Sequence, residues 1–457
     1  MIPRVVIAGT SSGAGKTTVA CGLVAALRAR GLCVQGFKVG PDFIDPSYHA
    51  LASGRPGRNL DAFLAGPDLV AALFRHGAGD ADMAVVEGVM GLFDGASGRG
   101  ELASTAHVAK LLRAPVLLVV DGSKMARSAA AIVHGFATFD RDLTIAGVIF
   151  NRAGSDHHEH LLREAIEPLG IPVLGVLRRD ERLAAPERHL GLVPAGEREQ
   201  RARAALATLA RAVERDADVG GIEALARAAP TLDAGGRAWS AAPADGATAR
   251  ARIAIARGPA FSFHYEENLE LLEAAGAELA GFDPLRDEAL PPGCGGLLLA
   301  GGFPEVFGEQ LAANAPLRAE IAAFAAANKP ILAECGGLLY LCRDLDGHDM
   351  CGAIGATAAM TDRLTLGYRE AVAATDTPWI DAGERVRGHE FHYSRVELLD
   401  GGATPPAWEL SARGDVRSEG VAAGGLQASF LHVHWAAHPH LALRFARAAR
   451  AASLAMA

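Results

Sequence analysis

The stretch "RVVIAGTSSGAGKTT" (residues 4–18) decides the fold of the first half of the chain. An apolar, β-branched run passes directly into a glycine-rich loop, and "TTVACGLVAALRAR" (17–30) then shows a helical pattern. Strand, loop and helix in this order predict a phosphate-binding loop, in which backbone N–H groups and the positive end of the helix face an anion. The spelling is irregular, because Thr10 stands where the usual pattern has glycine, and Gly9 comes one step too early.

Each residue of this predicted loop has an expected role in binding ATP. Gly13 and Gly15 allow the backbone to approach the phosphates, Lys16 reaches the β- and γ-phosphates, and Thr17 offers its hydroxyl to Mg²⁺. Thr18 completes the predicted nucleotide-binding set. A glycine-rich turn that merely contains a lysine is the alternative, and the succession of strand, loop and helix favours the nucleotide site.

Short apolar runs alternate with helical patterns along both halves of the chain. Continuous apolar strands separated by helices predict an α/β fold with a parallel sheet covered on both faces. The predicted strands beyond the first are 34–39, 83–87, 115–120, 145–150 and 172–177, then 251–256, 296–302 and 330–335. Between the two sets, 228–249 is rich in Ala, Gly and Pro and predicts a linker. The expected domains are therefore 1–227 and 250–457.

Acids that could serve the nucleotide site follow other strands. "MAVVEGVMGLFDG" (83–95) places Glu87 at the carboxyl end of a strand, where open α/β sheets bind ligands, and Asp94 in the following loop. One carboxylate could hold Mg²⁺ while the other orients the substrate. A solvated loop acid is the alternative for each of them.

A second loop combines a cation with acids. "FKVGPDFIDPSYH" (37–49) carries Lys38, Asp42 and Asp45 on a proline-stiffened loop, and this set suits phosphoryl transfer and substrate binding. Asp45 joins Thr17 and Glu87 as a predicted Mg²⁺ ligand. An ordinary surface loop remains the alternative. Asn151 follows a later strand in "FNRAG" (150–154) and could read an adenine edge.

A thiol site is predicted in the second half. "PILAECGGLLYL" (330–341) places Cys335 between a strand and an apolar helix, which is the layout of a nucleophile elbow. The helix end is expected to lower the pKa of this thiol and favour the thiolate. A buried structural cysteine is the alternative, and Cys342 and Cys351 are expected to be of that kind.

Possible partners for the thiol lie on other strands. "ASFLHVHWAAHP" (428–439) offers His432 and His434 on one face of a strand-like run, and either could be the base. A metal-binding pair is the alternative, although no third ligand with suitable spacing is evident. In "LLLAGGFPE" (297–305), Gly301 and Gly302 follow a strand and could donate backbone N–H groups to an oxyanion.

Composition excludes several classes of protein. The 457 residues include 44 basic and 53 acidic side chains, a net charge of −9 without a basic run, which argues against nucleic acid or a membrane surface as partner. No apolar stretch reaches the roughly 18 residues that span a bilayer, and because the predicted first strand begins at residue 4 we expect no signal peptide. Six cysteines without C-x-x-C spacing favour a reducing cytoplasm.

These motifs together resemble those of cobyrinate and hydrogenobyrinate a,c-diamide synthases, over nearly the whole chain and in the right order. They are the irregular phosphate loop, "FKVGPDFIDPSYH", "VVEGVMGLFDG", "AGGFPE", "AECGG" and "SFLHVHW". The N-terminal half resembles dethiobiotin synthetase, whose phosphate loop has a similarly offset glycine. The C-terminal half resembles class I glutamine amidotransferases. The resemblance implies two doubly wound α/β domains, an N-terminal P-loop domain and a C-terminal amidotransferase domain.

The resemblance also implies a reaction. Cys335 attacks the side-chain amide of L-glutamine and releases ammonia while His432 relays protons, ATP with Mg²⁺ phosphorylates the a and c acetates of a corrinoid tetrapyrrole, and ammonia displaces phosphate. A homodimer is one option for the assembly. The chain departs from the family pattern at His434, because most such amidotransferases have an orienting glutamate there. "RGHEFHYS" (387–394) resembles a signature of the corrinoid amidases and is expected to help form the glutamine or interdomain surface.

Alternatives from other classes stay open at this point. A nickel-sirohydrochlorin a,c-diamide synthase or a cobyric acid synthase would use the same two modules. A non-enzymatic P-loop switch is the third option, but it would not need Cys335 and His432 together. The Ala- and Arg-rich composition hints at a GC-rich genome and favours hydrogenobyrinate, the cobalt-free substrate.

Overall fold

The computed structural model describes residues 2–180, 195–232, 238–241, 251–399, 401–412 and 414–454. The chain forms two compact units, Met1–Ser240 and Ala241–Ala457. The division falls inside the predicted linker, of which 233–237 and 242–250 lie outside the described residues. The first part of that stretch is not a free linker, because the Arg4 guanidinium donates to the Pro230 carbonyl and the Trp239 ring meets His76 edge to face.

The N-terminal unit is built on a parallel sheet of seven strands in the order β3-β2-β4-β1-β5-β6-β7. Their bounds are β1 Arg4–Gly9, β2 Val34–Val39, β3 Arg58–Leu60, β4 Met83–Glu87, β5 Val116–Asp121, β6 Ile145–Ala153 and β7 Val173–Arg178. Every residue of β1, β2 and β4 is buried, as expected of strands covered on both faces. The predicted strands of this half are confirmed to within three residues, while β3 was not predicted.

Helices connect these strands and cover both faces of the sheet. They are α1 Lys16–Ala29, α2 Ile44–Ser53, α3 Pro67–Ala78, α4 Thr105–Leu111, α5 Ser128–Phe139, α6 Asp156–Ile166, α7 Ala195–Asp216 and α8 Val219–Arg227. The strand order reverses around β1, which has β4 on one side and β5 on the other. Ligands of open α/β sheets bind at the carboxyl ends of strands at such a point, and the phosphate loop leaves β1 there.

The C-terminal unit has a six-stranded sheet of order β10-β8-β11-β13-β21-β20, parallel except for the last pair. The strands and helices of its first half are β8 Ala251–Ala256, β9 Phe261–Phe263, α9 Glu266–Ala274, β10 Ala277–Phe282, β11 Gly296–Leu299, β12 Gly301–Gly302, α10 Gly308–Ala313, α11 Ala315–Ala326, β13 Ile331–Glu334 and α12 Gly336–Leu341. The predicted doubly wound α/β class is confirmed for this unit as well.

A second sheet of this unit was not predicted from the sequence. The elements that follow α12 are β14 Asp344–Leu345, β15 His348–Asp349, β16 Ala356–Ala373, β17 Arg385–Leu398, β18 Trp408–Ala412, β19 Asp415–Glu419, β20 Val421–Ala423, β21 Leu426–Ser429, β22 His432–Val433 and α13 Pro439–Leu454. Strands β20 and β21 belong to the first sheet, and the other strands form the second. Its central strands β16 and β17 are long and antiparallel, with a register shift between Met360 and Thr365. Strand β22 joins β17 and so brings the histidine motif beside this sheet.

Among the described residues, no helix combines the length and the apolar character that crossing a bilayer requires.

Candidate active sites

The phosphate loop has the backbone conformation that its glycines permit. Gly13 and Gly15 have φ angles of 77° and 104°, in the region that L-residues with a side chain rarely adopt. The Lys16 ammonium lies across the loop and donates to the carbonyls of Ser11, at 3.1 Å, and Met90, at 2.5 Å. The loop is therefore preformed, and its lysine is held by carbonyls that phosphate oxygens can replace.

Asn151 supports this loop from the end of β6. Its side-chain amide donates to the Ala14 carbonyl at 3.0 Å, and its oxygen accepts the Arg152 N–H at 3.0 Å. A Cβ atom at Gly15 would lie 2.0 Å from the Asn151 nitrogen, so only glycine fits there. Contact of Asn151 with adenine stays a prediction. Thr18 is buried on the first turn of α1.

A buried cluster of charged groups lies beside the loop at the ends of β2 and β4. The Thr17 hydroxyl donates to Glu87 Oε1 at 2.5 Å, and Lys38 Nζ donates to the same oxygen at 2.9 Å. Lys38 also contacts Asp45 Oδ2 at 2.5 Å, and His49 Nε2 donates to Glu87 Oε2 at 2.7 Å. The structure thus brings together four of the predicted site residues, and His49 is a neighbour that the sequence did not single out.

Burial and neighbouring charges shift the pKa values of the groups in this cluster. Burial alone would raise the pKa of Glu87, but Lys38 and the hydrogen bonds from His49 and Thr17 hold it well below its usual range. Burial and the charge of Glu87 raise the pKa of Asp45. Burial, followed by the charge of Lys38, lowers the pKa of Lys16 to about 8. Nucleotide phosphates would favour the charged form of Lys16, since an opposite charge stabilises the ammonium.

The donor atoms of the cluster fit Mg²⁺. Thr17 offers a hydroxyl oxygen, and Glu87 and Asp45 offer carboxylate oxygens, which are the ligands this ion prefers. Cys21 and His49 also lie near Glu87, with one ligand atom of each residue within 4.8 Å of the others. That set would suit a softer ion, whereas the oxygen ligands lie beside a phosphate loop, where Mg²⁺ accompanies nucleotide phosphates.

Two other predicted acids make local backbone contacts. Asp42 accepts the N–H groups of Ile44, at 3.0 Å, and Asp45, at 3.3 Å, and so holds the start of α2. Asp94 is exposed, and its Oδ2 accepts the Gly91 N–H at 2.9 Å. Neither residue joins the cluster around Glu87 through a hydrogen bond or ion pair described for these residues, and their contact with substrate stays a prediction.

The C-terminal unit forms the sharp turn that the sequence predicts for the thiol. Cys335 lies between β13 and α12 with φ 48° and ψ −102°, a strained conformation for a residue with a side chain. Its N–H donates to the Ser429 carbonyl at 2.7 Å. The turn has no room for larger neighbours, because a Cβ at Gly336 would lie 3.0 Å from the Gly302 nitrogen and one at Gly337 would lie 2.3 Å from the Leu299 oxygen.

The two glycines of β12 lie close to the turn of the thiol and to the histidine motif. Gly302 lies against Gly336, as just described, and a Cβ at Gly301 would lie 2.6 Å from Cε1 of His432. The short strand β12 therefore lies against both the turn that carries Cys335 and the imidazole of His432. This position agrees with the expected place of an oxyanion site, although donation to a substrate stays a prediction.

The expected effect of the helix end on the thiol was wrong. Burial, followed by the charge of Glu305, raises the pKa of Cys335 well above its ordinary value instead of lowering it. The residue is only 6% exposed and α12 has six residues, so loss of hydration outweighs the favourable end of a short helix. Cys342 and Cys351 are buried, as predicted for structural cysteines.

The two histidines have different carboxylate neighbours. His432 Nδ1 lies 3.4 Å from Glu334 Oε2, and His434 Nε2 lies 3.4 Å from Glu267 Oε2. His434 Nδ1 accepts the Ala436 N–H at 3.3 Å, and its ring packs on Tyr265. A carboxylate that the sequence reasoning overlooked, that of Glu334, therefore lies beside His432.

The "RGHEFHYS" segment (387–394) lies on β17 next to this site. The Cys335 thiol donates to the Phe391 carbonyl at 3.8 Å. In the antiparallel pairing of β17 with β22, His389 lies opposite His432. Burial, followed by the charge of His432, lowers the pKa of His389 to about 3. The segment that chemistry alone did not explain thus covers the thiol and the imidazole within one unit.

Comparison with known families agrees with these two sites. The model of the CobQ/CobB/MinD/ParA nucleotide binding domain matches residues 5–193, and that of the CobB/CobQ-like glutamine amidotransferase domain matches residues 252–440. The first match includes the phosphate loop and the acidic cluster. The second includes Cys335 and both histidines.

Relatives of known name match almost the whole chain. A hydrogenobyrinate a,c-diamide synthase from Streptomyces coelicolor is 53% identical, with 98% of both chains covered, and one from Thermobifida fusca is 50% identical, with 98% of this chain and 97% of the other covered. A cobyrinate a,c-diamide synthase from Syntrophotalea carbinolica is 48% identical over 97% of this chain and 98% of its own. The chain belongs to the family of hydrogenobyrinate and cobyrinate a,c-diamide synthases, which are amidating ligases with a glutamine amidotransferase domain.

Proposed function

We propose that the protein amidates the a and c acetate carboxylates of hydrogenobyrinate, with ATP as the activating co-substrate and glutamine as the nitrogen donor. One observation carries this proposal. The chain holds a preformed phosphate loop with an acidic cluster in one unit, and in the other a nucleophile elbow whose preceding residue, Glu334, contacts the imidazole of His432. Activation of a carboxylate and release of ammonia are the two reactions that such a pair of sites would combine.

The N-terminal unit would activate the substrate carboxylate. A carboxylate oxygen attacks the γ-phosphorus of ATP, the bond to the β-phosphate oxygen breaks, and ADP leaves an acyl phosphate behind. Lys16 would stabilise the charge on the transferring group. Thr17, Glu87 and Asp45 would hold Mg²⁺, which supplies neutralisation of phosphate charge when bound. Lys38, which pairs with Glu87 and Asp45, would attract the substrate carboxylate.

The C-terminal unit would supply ammonia. The Cys335 sulfur attacks the side-chain carbonyl of glutamine, with its proton passing to His432, and the C–N bond then breaks as His432 returns a proton to the leaving ammonia. Water hydrolyses the thioester to glutamate. The ammonia attacks the acyl phosphate carbonyl and expels phosphate, which yields the amide. A second cycle treats the other acetate.

The proposed substrate is the cobalt-free corrinoid. The relatives from Streptomyces coelicolor and Thermobifida fusca, at 53% and 50% identity, are named for hydrogenobyrinate, and the one named for cobyrinate is 48% identical. The composition of the chain had favoured the same substrate. The cytoplasmic location and a homodimeric assembly stay predictions of the sequence.

An isotope experiment tests this function. With ATP, Mg²⁺, hydrogenobyrinate and glutamine labelled with ¹⁵N in its side-chain amide, we expect two labelled nitrogen atoms in the product by mass spectrometry, because each amide takes its nitrogen from Cys335 chemistry. Parallel incubations with cobyrinate and with nickel-sirohydrochlorin compare the substrates. Faster amidation of either of these would overturn the assignment of hydrogenobyrinate, and lack of label with all three would overturn the proposed reaction.

Paired carboxamide substitutions test the acidic cluster. We expect Glu87→Gln to weaken MgATP binding by at least about tenfold and to slow amidation, because it removes the negative charge that faces the metal ion and Lys38 and replaces one carboxylate oxygen by an NH₂ donor. Asp94→Asn makes the same chemical change at an exposed carboxylate and should slow amidation with MgATP affinity little changed. Calorimetric titration of both variants measures this difference, with thermal unfolding as the check on folding. Wild-type affinity in a folded Glu87→Gln protein would contradict the metal-binding role.

A further inference from the structure

We propose that Glu334 is the positioning carboxylate of the glutaminase site, which holds the imidazole of His432 for proton exchange with Cys335. The inference rests on the proposed function and goes beyond it, because neither the motif nor the family pattern assigns a role to the residue that precedes the nucleophile. It replaces the orienting glutamate that is absent at His434.

The contacts of Glu334 point to this role. It is the last residue of β13, so its backbone is continuous with the strained turn at Cys335. Its Oε2 lies 3.4 Å from His432 Nδ1, and its Oε1 accepts the Val433 N–H at 3.2 Å. One carboxylate therefore lies beside the ring of His432, at ion-pair rather than hydrogen-bond geometry, and accepts a hydrogen bond from the backbone directly after it.

Burial makes this contact effective. The side chain of His432 is 1% exposed and that of Glu334 is 12% exposed, so little water competes for either group. A carboxylate near Nδ1 favours the tautomer with a proton on Nδ1, which leaves Nε2 as the nitrogen that accepts the thiol proton. When His432 becomes an imidazolium, the charge of Glu334 stabilises it. Contacts of this kind often shorten when substrate binds.

Other buried carboxylates of this unit are engaged elsewhere. Glu267 is the neighbour of His434. Glu419 accepts the Phe430 N–H at 2.8 Å and the Ser429 hydroxyl. Glu390 pairs with Arg369 and Arg417. Glu334 is thus the carboxylate whose described ion-pair contact is with the candidate base.

The proton transfers follow from this arrangement. As the Cys335 sulfur bonds to the glutamine carbonyl carbon, its proton moves to Nε2 of His432. The same proton leaves with ammonia when the C–N bond breaks, and a proton from the attacking water takes its place until the thioester is hydrolysed. Glu334 gains and loses no proton in this cycle, and acts through the orientation and charge of His432.

The test measures glutamate release and amide formation in Glu334→Gln. The amide keeps an acceptor for the Val433 N–H but removes the charge and can hold the other tautomer of His432. We expect the kcat of glutamine hydrolysis to fall about a hundredfold or more with the KM for glutamine unchanged. Amidation from added ammonium should keep its wild-type rate. Glu278→Gln makes the same change on the edge strand β10, where Glu278 pairs with Arg252, and should leave both rates unchanged.

Each result decides the inference. A wild-type kcat, or a raised KM with kcat unchanged, would overturn it, because the residue would then be structural or would bind glutamine. If Glu334→Gln fails to fold, Glu334→Asp serves, with an expected kcat about tenfold lower at unchanged KM, since the shorter carboxylate still carries charge. A wild-type kcat in that variant would overturn the proposal too. Failure of wild-type protein to amidate with ammonium would instead count against the proposed function.

Discussion

Amide formation in Lys16→Ala is expected to fall about a thousandfold or more, with glutamine and with ammonium alike. The Lys16 ammonium lies over the phosphate loop, held by the Ser11 and Met90 carbonyls, where it can stabilise charge on the transferring phosphoryl group. Neither nitrogen donor avoids this step, because both need an activated carboxylate. The measurement is the rate of ATP-dependent amide formation by mass spectrometry at saturating substrates.

A second lysine provides the control for this substitution. Lys329→Ala removes a cation that packs on the Phe324 ring in the other unit, and should leave amidation unchanged. Thermal unfolding of Lys16→Ala checks that the loop variant is folded. Near-normal ATP-dependent turnover in the folded variant would refute the nucleotide site.

Cys335→Ser is expected to abolish glutamine-dependent amidation and to spare amidation from ammonium. Serine fits the turn sterically, but its hydroxyl has no accessible anionic form near neutral pH and is a much weaker nucleophile than a thiol paired with imidazole. In the proposed reaction the acyl phosphate forms in the N-terminal unit, where this change removes nothing. Parallel assays of glutamate release and of amide formation with each nitrogen donor measure the effect.

Cys342→Ser gives the matched control, since Cys342 is buried at the end of α12 and its Sγ donates to the Leu338 carbonyl. Any loss in that variant reports on packing rather than on the nucleophile. If ammonium failed to support amidation in a folded Cys335→Ser protein, the thiol would do more than hydrolyse glutamine. The two-site reaction would then need to be replaced.

The sequence predicted those elements of the fold that are formed by residues close together along the chain. The run from β1 through the loop to α1 is one continuous segment, and the strand before Cys335 and the helix after it are another. The sheet of β16 and β17 was not predicted, because its strands expose much of their length and lack a continuous apolar run. Its pairing depends on contacts between distant residues, which a single sequence does not reveal.

The same distinction explains the candidate sites. Lys38 and Glu87 lie at the carboxyl ends of β2 and β4, and Thr17 and Asp45 lie in the first turns of the helices that follow β1 and β2. Neighbouring parallel strands bring such positions together. Glu334 was visible in "AECGG", but its contact with His432 joins residues that are 98 positions apart. The pKa of Cys335 was misjudged for a similar reason, since burial by β17 is not visible in its flanking residues.

The lack of space beside Gly337 couples the turn of Cys335 to the end of β11. A Cβ atom at position 337 would lie 2.3 Å from the Leu299 carbonyl oxygen, which is backbone and cannot turn aside as a flexible side chain could. A larger residue at this position would therefore displace either the turn or the strand, although it would remove no reactive group.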